Sequence, residues 1–332
     1  MKKGLSVAIL GACLMFSAWG GASAAEFKAT WLLDWVYFSE HVPFFAAKDF
    51  GFLKKEGLDL EIKRGFGSGD TIKRIGNKVA PFGLADTGSL IIARSKGVKV
   101  KEVAMYYAKT PMVLWYLKEK GYKTPRDMVG KRVGGPQGDS TKRVFPAFAN
   151  ANGLNPKQVN WITMGYGAIS PSVLTGKIDF APTYYDASVT LDLKAKKLGK
   201  EGAVFRYSEW GVDIYANGLI VHDDLVKENP GIIRRFVKAN VEAWGHCFIY
   251  VEKCMKNFLK RQPTLNPEFL RRQYMRTRAM NIDKGVLQHG FGYMDRAKMD
   301  RTIDIMTKHT PLKVRVKTED VYTNAFLPQL AK

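Results

Sequence analysis

Residues 27–67 read FKATWLLDWVYFSEHVPFFAAKDFGFLKKEGLDLEIKRGFG, and their pattern decides the fold. Phe27, Ala29, Trp31 and Leu33 alternate with residues of a second face, as in a sheet strand. Pro43 suits the first turn of a helix, where a missing amide hydrogen costs nothing. Gly51 and Gly57 can end helical turns, because glycine accepts the left-handed backbone. Leu58, Leu60 and Ile62 then alternate again. Strand, loop, helix and strand make one βαβ unit, so the expected class is α/β. Ligands of such sheets sit beyond the carboxyl ends of the strands. The loop at that end, Asp34 to His41, holds two carboxylates, three aromatic rings and an imidazole. Asp34, Trp35, Tyr37 and His41 are therefore candidate site residues.

Further candidates follow at each later strand end. Gly65 to Thr71 is a glycine-rich turn that opens a helix and carries Ser68. Its glycine spacing is not that of a dinucleotide fingerprint. A capping turn and a ligand contact are both open to it. Asp86 and Thr87 stand where a short strand meets a helix, and either can cap that helix or face a ligand. A strand over 98–108 ends in Tyr106-Tyr107, and 112–117 reads as an extended crossover. Gly134 to Thr141 opens another helix, whose free amides and hydroxyls at Gly138, Asp139, Ser140 and Thr141 suit an anionic or polar group. Tyr184, Tyr185 and Asp186 follow a buried strand, as a ligand wall or as packing beneath a loop. A return strand over 209–221 would place Asp213, Tyr215 and Asn217 on one side, facing the cleft or holding the crossovers together.

These residues also carry a family resemblance. Leu33-Asp34-Trp35, His41 and the following KDFGFLKKEGLDLEI resemble the periplasmic thiamine-pyrimidine-binding proteins of ABC importers. The wider family includes sulfonate-, taurine-, nitrate- and riboflavin-binding relatives. Ala47 to Leu60 matches its A-x-x-x-G-[FY]-[FL]-x-x-E-G-L-x-[VL] pattern. Pro125 to Gly134 resembles the turn that begins its second lobe, with Met128 in place of the usual leucine. Residues 174–181 and 211–220 resemble two later family segments. Gly135-Pro136-Gln137-Gly138 departs from the Gly-Trp-Gly-like loop of the pyrimidine binders.

The resemblance implies a type II two-lobed periplasmic binding fold, with two crossover strands as the hinge. It implies lobe one at 25–113 and 215–332 and lobe two at 114–214. It also implies an inner-membrane ABC permease as partner, and a monomer. The expected ligand is a planar nitrogen heterocycle, a thiamine pyrimidine precursor, stacked on Trp35, Tyr37, Tyr184 or Tyr185. Asp34, Asp86 or Asp213 would accept its amino groups. An anion such as a sulfonate or aromatic acid, held at the Ser140/Thr141 helix start, is the alternative. A related cytosolic pyrimidine synthase has a similar histidine but carries a cysteine-rich iron motif, and this chain has no cysteine cluster.

The chain's ends and composition agree with export. Lys2 and Lys3, an apolar run and Ala22-Ser23-Ala24 read as a signal peptide over residues 1–24, giving a periplasmic protein. Leu10-Gly11-Ala12-Cys13 resembles a lipobox, but only about six apolar residues precede the cysteine, short for that purpose. The 332 residues carry a formal net charge of +21, with lysines scattered rather than gathered into an arm, so no nucleic-acid partner is expected. Cys247 and Cys254 read as one helix. Seven residues at 1.5 Å each put their Cα atoms ~10.5 Å apart, too far for a disulfide, which needs less than ~7 Å. The five histidines form no metal-binding pair, and no nucleophile elbow or P-loop is present. Neither catalysis nor a cofactor is expected.

Overall fold

The computed structural model describes residues 26–329, so the expected signal peptide lies outside the described residues. Among the described residues, ten strands form three sheets. β1 (Phe27–Leu32), β2 (Leu58–Lys63), β3 (Phe82–Asp86), β4 (Val100–Met105) and β10 (Asn217–His222) make a five-stranded sheet in the order β2-β1-β3-β10-β4. β1 runs parallel to β2 and β3, with Phe27 opposite Leu58. β10 is antiparallel to both of its neighbours. In the other lobe, β5 (Met112–Leu117) lies between β8 (Ala181–Tyr184) and β9 (Gly202–Arg206). There β6 (Arg132–Gly135) pairs in parallel with β7 (Asn160–Thr163).

The βαβ unit is present as the sequence predicts. Leu58, Leu60 and Ile62 point inward and their neighbours outward. Beneath the first sheet the long helix Pro230–Ile249 buries Phe236, which stacks on Phe82 at 4.0 Å and meets Trp31 edge-on at 5.0 Å. Each such pair adds ~0.5–1.5 kcal/mol beyond area burial. The second lobe has its own stacked pair, Phe148 on Tyr207 at 4.4 Å.

The chain crosses between lobes at 106–111 and again at 211–216. The crossings are tied together: the Tyr107 amide donates to the Asn217 carbonyl at 2.8 Å, and the Ala216 amide to the Tyr107 carbonyl at 3.2 Å. The Arg296–His309 helix packs against helices of both lobes, Thr87–Arg94 and Ser140–Ala151.

Three expectations are corrected. Residues 112–117 are not a crossover but the central strand of the second lobe's sheet, fully buried as that place requires. The return strand begins only at Asn217, because residues 207–210 form a 3-10 turn and irregular backbone follows Gly211. Asp213 and Tyr215 therefore lie outside the strand and do not alternate with Asn217 along one face. Cys247 and Cys254 do form a disulfide, with Cα atoms 5.6 Å apart. The single helix assumed for them breaks at Tyr250 (φ −100°, ψ 57°), so Pro230–Ile249 and Val251–Arg261 are two helices. The break shortens the span enough for the bond.

Candidate functional site

The interlobe cleft encloses a small cavity, about 40 Å³, room for about three waters at the 10–15 Å³ each requires. The loop after β1 supplies Asp34, Trp35, Phe38 and Glu40. The second lobe supplies Asp139, Ser140, Tyr166, Tyr184 and Asp186. Asp34 sits at the carboxyl end of β1, where the strand gives way to an irregular loop. That placement is the one an α/β sheet dictates.

A chain of hydrogen bonds organises the floor. His41 Nδ1 accepts the Phe38 backbone N–H at 3.1 Å. That nitrogen therefore carries a lone pair, and the ring hydrogen is on Nε2. Nε2–H points at Asp34 Oδ1 at 3.1 Å, with Glu40 Oε1 at 3.4 Å. Asp34 Oδ2 accepts from Asn217 Nδ2 at 2.5 Å. Asn217 Oδ1 accepts from the Tyr184 hydroxyl at 2.9 Å, and the Tyr184 hydroxyl oxygen is 2.8 Å from Ser140 Oγ. One polar chain thus runs from His41 in the first lobe to Ser140 in the second.

Asp34, Glu40 and His41 offer ligand atoms within 4.8 Å of one another, a spacing that could suit a metal ion. The imidazole tautomer opposes it, because the nitrogen facing the carboxylates carries the hydrogen rather than a lone pair. Metal-ligating histidines instead donate their other ring N–H, and here that nitrogen is an acceptor.

The remaining carboxyl groups are short of partners. Asp186 Oδ2 accepts from Thr277 Oγ1 at 2.7 Å and the Tyr107 hydroxyl at 2.8 Å. Its Oδ1, and Oε2 of Glu40, are buried with no partner. Burial pushes the Glu40 carboxyl well above its usual range, and the nearby Asp34 and Asp186 carboxylates push it further. Burial likewise raises Asp186, against its hydrogen bonds. It raises Asp139 to about 6 and Asp86 to about 7. Among the described residues, no lysine, arginine or histidine lines the cavity.

Aromatic rings close the top. Tyr166 meets Trp35 edge-on at 5.7 Å and Phe38 at 5.5 Å. Beside them the two lobes touch backbone to backbone. Gly67 has φ +111°, and a Cβ there would lie 2.1 Å from the Gly138 carbonyl oxygen. A Cβ on Gly138 would lie 2.6 Å from the Phe66 carbonyl oxygen. Only glycine lets the lobes meet this closely.

Of the sequence-predicted residues, Asp34, Trp35, Ser68, Asp139, Ser140, Thr141, Tyr184 and Asp186 line the cavity. Asn217 and His41 stand directly behind, bonded to Asp34. The rest lie elsewhere. Asp86 caps its helix through the Ser89 amide at 2.7 Å. The Thr87 amide donates to the Ala216 carbonyl at 2.9 Å, and its hydroxyl lies 2.8 Å from Glu102 Oε1. Tyr106 packs in the core on Phe44 and Trp244. Tyr37 donates to the Ile62 carbonyl and packs on Phe45. Gly138 faces an outer groove. Tyr185 is held between Arg206 at 3.5 Å and Arg276 at 4.3 Å. Asp213 is exposed to solvent. The Tyr215 hydroxyl accepts from the Asp295 amide, beside the Arg296–His309 helix. The prediction missed Glu40, Phe38 and Tyr166. Glu40 and Phe38 lie in the loop already singled out. Gly165-Tyr166-Gly167 is an aromatic between glycines, of the kind expected at 135–138 but found later in the chain.

Residues 39–250 match the family model described as "NMT1/THI5 like". A formylaminopyrimidine-binding protein of Halalkalibacterium halodurans is 22% identical over 296 residues, covering 88% of each chain. A 4-amino-5-hydroxymethyl-2-methylpyrimidine phosphate synthase of Saccharomyces cerevisiae is 26% identical over 260 residues, 75% of each chain. The periplasmic aliphatic sulphonate binding protein SsuA of Escherichia coli superposes with a TM-score of 0.67 at 13% identity, over 92% of this chain and 94% of that one. At that identity the superposition speaks for the fold alone, and the fold is that of the two-lobed periplasmic binding proteins.

Proposed function

The chain belongs to the NMT1/THI5 like family, and on that premise we propose that it is the substrate-binding component of an ABC importer, capturing a small planar nitrogen heterocycle of the thiamine-pyrimidine-precursor class between its lobes. One observation carries the ligand class. The cavity wall holds Asp34, Glu40, Asp139 and Asp186 and no cationic side chain. Glu40 Oε2 and Asp186 Oδ1 are buried acceptors without donors. An aminopyrimidine brings N–H donors to such oxygens, each hydrogen bond contributing ~0.5–1.5 kcal/mol. Its ring would lie among Trp35, Phe38 and Tyr166. The formylaminopyrimidine-binding relative supports the same class.

An anion fits this wall poorly. The helix start proposed to hold it is already occupied: the Asp139 carboxylate takes the Lys142 amide at 2.9 Å, and Ser140 Oγ is engaged with Tyr184. Binding rather than catalysis is the reading favoured by His41, whose two nitrogens are both committed, one accepting from Phe38 and the other donating to Asp34. An acid/base role needs a free nitrogen near the reacting group. The disulfide supports an oxidising compartment outside the cytoplasm, as the expected signal peptide does. A monomer that presents its closed lobes to an inner-membrane permease completes the proposal.

The test is a thermal-shift panel on the mature protein with aminopyrimidines, riboflavin, alkanesulfonates and aromatic acids. A ligand at 100 times its dissociation constant stabilises by ~2.7 kcal/mol. A rise with aminopyrimidines is expected. A rise with sulfonates alone would overturn the ligand class.

A further inference from the structure

The aromatic lid has a second side. Trp35 and Tyr166, which close the acidic cavity, also line an outer groove of about 800 Å³ at the mouth of the cleft. The charge there is opposite. Arg64, Lys73 and Arg143 line it, and none of the three has a carboxylate within ion-pair distance among the described residues. The groove's own carboxylate, Asp70, is held by Arg74 at 2.8 Å.

Arg143 is the telling member. It projects from the first turn of the Ser140–Ala151 helix in lobe two toward Gly69 of lobe one. A Cβ on Gly69 would lie 2.9 Å from its Nη1, so the bare glycine leaves the guanidinium its place. Its Nε is buried and has no hydrogen-bond partner. A buried guanidinium nitrogen normally finds an acceptor, because leaving it unpaired costs the desolvation of a charged donor. Arg64 lies over the Phe66 ring at 4.6 Å and donates only to the Gly65 carbonyl.

We propose that Arg143, Lys73 and Arg64 form an anion subsite outside the aromatic lid, so that the ligand is a two-part molecule: a donor-rich ring in the acidic cavity and an anionic arm in the basic groove. The proposal rests on the heterocycle reading above and adds the arm. Carboxylate, sulfonate and phosphate share the chemistry that cationic side chains lining one groove recognise. The division of charge also answers the anion alternative. The acidic wall rejects an anion, while the groove accepts one only as a substituent reaching past Trp35 and Tyr166.

Isothermal titration of the full mature protein separates the possibilities. The probes are a 4-aminopyrimidine with a hydroxymethyl arm, the same ring with a carboxymethyl arm, its phosphate ester, and inorganic phosphate alone. Charged arms are expected to bind at least about tenfold tighter than the neutral one, with an advantage that shrinks as salt rises. Arg143→Gln combined with Lys73→Gln should erase that advantage and leave the neutral ring's affinity unchanged. Arg64→Gln, at the exposed rim, should erase part of it. Equal affinity for neutral and charged arms would overturn the arm and leave the ring reading standing, as would an advantage that survives in the double variant. Inorganic phosphate binding as tightly as the phosphate ester would overturn the two-part ligand. Failure of every pyrimidine would overturn the ring and the arm together.

Discussion

Gly138→Ala should weaken ligand binding without unfolding either lobe. Gly138 is not among the residues with positive φ, so an alanine is tolerated by its own backbone. The new Cβ collides only across the cleft, at 2.6 Å from the Phe66 carbonyl oxygen, with its next neighbours, the Phe66 carbonyl carbon and Gly67 Cα, at 3.5 and 3.6 Å. Restoring ordinary contact at 3.4 Å moves the facing loop back by about 0.8 Å. That shift breaks the Gly69 amide to Gly138 carbonyl bond, already at 3.4 Å. One bond at ~0.5–1.5 kcal/mol puts the closed state higher by that amount, and affinity falls about two- to twelvefold. Titration of the ligand against wild type and variant reads this directly. Gly167→Ala is the control, on the same groove but with nothing within 4 Å of its Cβ. Wild-type affinity in Gly138→Ala would refute the argument that binding requires this seam to close.

Other perturbations test other parts. Glu40→Gln replaces an acid whose carboxyl is pushed up by burial and by its acidic neighbours, so melting should change by only a few degrees, while affinity for an aminopyrimidine falls about tenfold with the loss of an acceptor; unchanged affinity would remove Glu40 from the site. Asp86 has its carboxyl raised to about 7, so the native state holds a proton there that the unfolded chain releases near 4. Its contribution is present below about 4 and lost as pH rises through about 7. Asp86→Asn keeps the helix cap and should flatten the decline in melting temperature between pH 4 and 7, and an unaltered slope would count against it. Replacing Cys247 and Cys254 with serine should cost about 2.5 kcal/mol by the chain-entropy estimate for so short a loop, and a thiol titration of the native protein should find no free cysteine after denaturation without reductant.

The fold was legible because its signals are local. Leu58, Leu60 and Ile62 alternate over one strand, and Pro43 and Gly51 mark the helix between the strands. The loop after β1 could be singled out for the same reason, since strand-end position and composition are both visible in sequence. What was not legible depends on distant partners. Asp86 and Asp34 are each an aspartate at the end of a strand, yet one turns back to cap its helix and the other reaches Asn217. Asn217 lies 183 residues further along the chain. The Tyr215 hydroxyl was drawn away from the cleft by the backbone at Asp295, which periodicity cannot foresee. The disulfide escaped because a single irregular residue, Tyr250, divides two helices whose residues are all compatible with one.

The position of β10 constrains the order of assembly. It is the last strand in the chain, yet it lies inside the first sheet, hydrogen-bonded to β3 on one side and β4 on the other. Until residue 217 has emerged from the machinery that makes the chain, β3 and β4 each present an unpaired edge and the first sheet has a gap. The second lobe's strands, 112–206, have all emerged by then. The lobe that begins the chain is therefore completed last, and a chain cut short before β10 exposes the kind of strand edge that promotes aggregation. A nascent chain is thereby kept from locking its first lobe early, which delays the formation of the cleft until about two-thirds of the protein has emerged.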